Sequence, residues 1–93
     1  MDNSARFMRD NMYLLQYTSD GEFVCKIASM IEIADTIGFS DCTDYTDFQV
    51  FRLVKGKNPE ALMYRTHEYK RPCTVTLYDR FGNYIDDAEY ADH

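Results

Sequence analysis

Ser29-Met30-Ile31-Glu32-Ile33-Ala34-Asp35-Thr36-Ile37-Gly38-Phe39, residues 29–39, reads as a short helix with both of its ends specified. Ser29 and Glu32 match the S-x-x-E pattern, in which the hydroxyl accepts from a backbone N–H left free at the helix start and the Glu side chain reaches back to the cap's own N–H. Met30, Ile33, Ala34 and Ile37 fall on one helical face, with Glu32, Asp35 and Thr36 away from it. Gly38 is suited to the left-handed conformation that ends a helix, and Phe39 to folding back over the last turn. The spacing predicts a helix from Met30 to Ile37. Eight residues cannot hold a helix in isolation, so the apolar stripe has to lie on a sheet.

The flanking sequence supplies that sheet. Met12 to Thr18 alternates Tyr13, Leu15 and Tyr17 with Met12, Leu14 and Gln16, Ser19-Asp20-Gly21-Glu22 is a turn, and Phe23, Cys25 and Ile27 alternate with Val24 and Lys26: a hairpin. After the helix, Ser40 to Asp47 is polar and acidic and reads as a loop. Phe48 to Val54 is rich in strand formers, and Gly56-Lys57-Asn58-Pro59 breaks the chain before Leu62 to Tyr69. Arg71-Pro72 punctuates again, Cys73 to Tyr78 alternates, and Asp79 to Asn83 turns into Tyr84 and Ile85. Short connections favour antiparallel pairing. The expected fold is α+β: a small antiparallel sheet of about five strands in the order β-β-α-β-β-β, with room for a short sixth, and one helix packed on one face.

At 93 residues, residues 1–93 form a single domain, with 1–10 as an N-terminal arm and 86–93 as an acidic C-terminal tail. The chain is 45% hydrophobic, enough to build a core without a metal or disulfide. Cys25, Cys42 and Cys73 are an odd number at wide spacings, and no hydrophobic signal segment precedes them. A reducing cytoplasm is the expected compartment, with the thiols free and Cys25 and Cys73 buried. No apolar stretch approaches the roughly 20 residues of a membrane span.

Charge is segregated. From Ser29 to Phe51 there are five carboxylates and no Lys or Arg, from Arg52 to Tyr78 six bases face two acids, and from Asp79 onward five acids face Arg80. With a formal net charge of −6, nonspecific binding to phosphate backbones or anionic membranes is disfavoured and a basic partner favoured. The repeat Asp41, Asp44, Asp47 recurs every third residue and, in an extended three-per-turn conformation, makes an acidic stripe with Tyr45 inside it. It lacks the alternation, the central Gly and the terminal Glu of a calcium loop. Asp86, Asp87, Glu89 and Tyr90 form a second acidic segment, and Glu32 and Asp35 face outward from the helix. These ten residues are the expected partner-binding set. The more ordinary role of Asp and Thr in loops is local capping.

Arg65, His67, Tyr69, Lys70 and Arg71 interleave bases with aromatics, as grooves for single-stranded RNA do, and are the alternative site. Catalysis finds no support. Cys42 lies among carboxylates, which dull a thiol, and His67 and Glu68, being neighbours on a strand, point to opposite faces. No zinc spacing links Cys and His, and no metal or cofactor is expected. The function expected is that of a small acidic cytoplasmic binding protein, of the type found as accessory proteins of phages and mobile elements. It docks on and inhibits or modulates a basic protein, such as a nucleic-acid-binding enzyme. The alternative is an RNA-binding or regulatory module built on residues 64–71.

Overall fold

The two-residue turn Asp20-Gly21, with φ of 52° and 79°, sets the register of everything around it. Positive φ at both central positions gives a turn whose twist matches that of paired strands, and Ser19 is thereby placed opposite Glu22. A computed structural model describes residues 13–39, 43–67 and 74–89. In it β1 (Tyr13–Ser19) and β2 (Glu22–Ala28) form this hairpin, α1 (Met30–Gly38) follows, and β3 (Thr46–Arg52), β4 (Glu60–His67), β5 (Thr74–Tyr78) and β6 (Tyr84–Glu89) complete the chain. The strands make one open sheet in the order β2-β1-β3-β4-β5-β6, antiparallel throughout. The α+β fold is as expected, with six strands rather than about five. The sixth is a full strand, so Asp86 to Glu89 belong to the sheet and not to a tail.

The sheet is curled. β4 pairs with β3 through Glu60, Ala61 and Leu62 and with β5 through Met63 to His67, so it passes from one half of the sheet to the other midway. The Tyr13 hydroxyl on β1 consequently donates to Asp86 Oδ2 on β6 at 2.8 Å, although β3, β4 and β5 stand between the two strands in the sheet order. The helix lies in the concavity. It packs on β5 and β6, while Glu32 at its start reaches Lys26 on β2 at 2.7 Å. Met30, Ile33, Ala34 and Ile37 are buried against Tyr13, Leu15, Tyr17, Val50, Leu62, Val75 and Leu77.

Both ends of α1 differ in detail from the sequence pattern. Ser29 Oγ accepts from the Glu32 N–H at 3.1 Å, as a cap should, but the Glu32 carboxylate goes to Lys26. Gly38 is the last helical residue and is not left-handed; the chain leaves through Phe39 at φ −95°, whose N–H still donates to the Asp35 carbonyl at 3.0 Å. With the bond to i−4 retained at Phe39, the helix needs no left-handed stop there.

The hairpin holds a larger correction. Because Tyr17 lies opposite Val24 and Leu15 opposite Lys26, the inward face of β2 is Val24, Lys26 and Ala28. Phe23, Cys25 and Ile27 point outward, and Cys25 is an exposed free thiol. Register is all or nothing in a strand, and the turn fixed it. The placements expected for Cys42, Cys73 and the arm 1–10 lie outside the described residues.

Candidate partner-binding surfaces

Antiparallel pairing sorts the connections to two ends of the strands. At one end lie the β1–β2 turn and the loop leading into β3, because Ser19 faces Glu22 and Thr18 faces Thr46. Asp20, Glu22, Asp44 and Asp47 are all exposed there. The β3–β4 ladder runs only from Val50 to Arg52, and among the described residues no ion pair joins Arg65 to these carboxylates. Tyr45 is half-buried on Tyr17, with ring centroids 4.8 Å apart, and Phe48 packs at a tilt against Tyr17 at 5.8 Å. Phe48 in turn meets Tyr64 edge-on at 6.4 Å. The acidic end therefore stands on a fixed aromatic platform, and Tyr45 offers a rigid apolar contact beside the carboxylates.

The structure divides the rest of the expected acidic set. Asp47 has φ of 59°, a left-handed kink that interrupts a three-per-turn stripe, and Asp44 and Asp47 are both exposed in the segment leading into and starting β3. Glu32 is ion-paired to Lys26, which raises the lysine's pKa through that hydrogen bond, and Asp35 is half-buried on α1. Asp86 points inward to Tyr13. Burial first, and then the bond to Asp86, push the Tyr13 phenol far above its ordinary value. Asp87 is on the outer face, accepting from Tyr84 at 2.8 Å, a bond that raises the Tyr84 pKa, and Glu89 is exposed. Asp41 and Tyr90 lie outside the described residues. The acids of β6 and α1 are thus divided among ion-paired, inward and outward positions, and those of the hairpin end form a separate group.

In the alternative site, Tyr64 belongs to the inner face with Phe48, while Arg65 is one residue on and points to the other face. His67 is half-buried. Tyr69, Lys70 and Arg71 lie outside the described residues.

Bases converge at the opposite end. Arg52, Lys55, Lys57 and Arg80, with Leu53, Val54, Asn58 and Phe81, line an open cleft of about 720 Å³. Glu60 is its one acid and is held by Arg52 at 2.7 Å. Arg80 lies over the Phe81 ring at 4.8 Å, and the β5–β6 turn that carries both is locked by Asp79, whose Oδ1 accepts from the N–H groups of Phe81 and Asn83 at 2.9 Å each. Those bonds, that from the Asn83 N–H first, hold the Asp79 carboxyl below its ordinary pKa.

Sequence reasoning missed Asp20 and Glu22 because they read as turn residues, and missed this cleft because its bases are split between residues 52–57 and residue 80. Among the described residues no three of His, Cys, Asp and Glu gather closely enough to hold a metal ion, and no helix is long and apolar enough to cross a membrane. Comparison with protein-family models, with curated proteins and with solved structures finds no match for this chain.

Proposed function

We propose that this chain is a small cytoplasmic binding protein, without catalytic activity of its own, that docks its acidic hairpin end on a basic protein and modulates it. One observation supports the reading above the others: Asp20, Glu22, Asp44 and Asp47 share one end of β1, β2 and β3 with no Lys or Arg paired to them in the described residues, and they stand beside the anchored Tyr45. Carboxylates of one sign at a fixed edge attract a basic surface over several ångströms and guide encounter. The aromatic platform then supplies contact after encounter. A partner whose natural ligand is a polyanion, such as a nucleic-acid-binding enzyme, presents the complementary surface.

Replacing Asp20, Asp44 and Asp47 by Asn removes three charges and leaves the backbone undisturbed, because Asn tolerates the positive φ of Asp20 and Asp47 as well as Asp does. Affinity capture on the immobilised wild-type chain is expected to retain a basic protein that elutes with salt and is lost from the triple-Asn column. Equal capture by both columns contradicts the reading.

The basic cleft favours a second reading, in which Lys55, Lys57 and Arg80 contact phosphates and Phe81, 74% exposed, stacks on a base. Its test is direct: salt-sensitive binding of single-stranded RNA that is abolished by Lys55→Gln with Arg80→Gln.

A further inference from the structure

The two edges of this sheet are not alike. β6 carries Asp86, Asp87 and Glu89, and charge along an edge strand discourages pairing with another sheet. β2 is less guarded: its one acid, Glu22, stands at the first position beside the turn. It runs seven residues without proline or register shift, and its one lysine, Lys26, is turned inward to Glu32. Its outward side chains are Phe23, Cys25 and Ile27, with Phe23 69% and Ile27 51% exposed.

The free backbone groups fall on those same residues. In a two-residue hairpin the residues flanking the turn, Ser19 and Glu22, form a hydrogen-bonded pair, and hydrogen-bonded and non-bonded pairs then alternate. Phe23, Cys25 and Ile27 therefore have their N–H and C=O groups directed away from β1, towards the open edge. Among the described residues nothing pairs with them.

We propose that β2 is a self-association edge, and that a second copy of this chain pairs with it antiparallel about a two-fold axis at Cys25. The strand is its own complement in that register. Cys25 faces Cys25 of the second copy in a hydrogen-bonded pair, Phe23 faces Ile27 on both sides of the axis, Lys26 faces Val24 and Glu22 faces Ala28, so no like charges are opposed. Beyond the edge, Ile27, Leu14, Phe51 and Ala61 lie in one cross-strand row on the outer face. Pairing continues that row into the partner's Phe23 and joins the two sheets into one of twelve strands. A closed two-fold contact of this kind cannot propagate into fibres. The contact is small, and a dissociation constant on the order of 1–100 μM is expected.

Sedimentation of the full chain under reducing conditions is expected to move from the monomer mass of 11.0 kDa to twice that value across this concentration range. A short bismaleimide is expected to link two chains in the Cys42→Ser, Cys73→Ser variant, where Cys25 is the remaining thiol. Ile27→Lys sets a charge on the outer face of the edge without touching the core. It is expected to keep the wild-type circular dichroism and remain monomeric, with no crosslink. A wild-type chain that stays monomeric at every concentration overturns the proposal. Residues 1–12 covering the edge would do so too, seen as slow amide exchange at Phe23, Cys25 and Ile27 that does not vary with protein concentration. A dimer that persists in Ile27→Lys, with Cys25 uncrosslinked, assigns the interface elsewhere and equally overturns it.

Discussion

At the scale of the residue, the pair Tyr13 and Asp86 ties the first strand to the last across 73 positions. Buried phenol donating to a carboxylate favours the neutral phenol, so the folded pKa of Tyr13 lies above its unfolded value of about 10. The contribution is fully present below pH 10 and is lost as pH rises through the folded value. Stability measured by urea unfolding is therefore expected to decline above about pH 10 in the wild type. The decline is expected to be shallower in Tyr13→Phe, which starts about 1–3 kcal/mol less stable because Asp86 has lost its donor. Equal slopes would contradict the assignment. Nothing local announces this pair: Asp86 reads as the start of an acidic tail, and its partner lies at the other end of the chain. Cys25 teaches the same limit from the other side. The alternation of Phe23, Cys25 and Ile27 suggests a buried face on apolar content, but the Asp20-Gly21 turn places Val24 on the face of Tyr17, and a local pattern that loses to register leaves apolar residues exposed where a partner can use them. Cys25 is accordingly expected to react with a thiol reagent in the native protein as fast as a solvent-exposed cysteine.

At the scale of the element, the helix was the most legible part of the sequence because its cap, stripe and length are encoded within eleven residues. Ser29→Ala removes the bond to the Glu32 N–H and is expected to cost about 1 kcal/mol. Ile33→Ala, at a position with no exposure, is expected to cost about 2–5 kcal/mol. Denaturant midpoints order the two, and equal small effects would mean that α1 is not seated in the concavity. The boundaries of β3 and β4 begin two residues earlier than the strand-forming composition suggests. Thr46 and Glu60 are polar, but Thr46 pairs with Thr18 and Glu60 is drawn into register by Arg52, interactions between segments that composition does not display.

At the scale of the whole molecule, the curled sheet turns charge blocks along the chain into charged ends of the strands. The sequence blocks were plain to read, but Asp20 and Glu22 joined Asp44 and Asp47, and Arg80 joined Lys55 and Lys57, only through antiparallel pairing. The acidic end is the feature proposed to act, through long-range attraction that salt screens over a Debye length of about 10 Å at 0.1 M and 3 Å at 1 M. The most direct test is the association rate of the captured basic partner, measured by surface plasmon resonance for the wild type and for Asp20→Asn, Asp44→Asn, Asp47→Asn across that salt range. The expected result is an on-rate lowered on the order of tenfold in the triple variant at low salt, with the two proteins converging at 1 M. An on-rate at low salt that is the same for both would contradict docking through the acidic end.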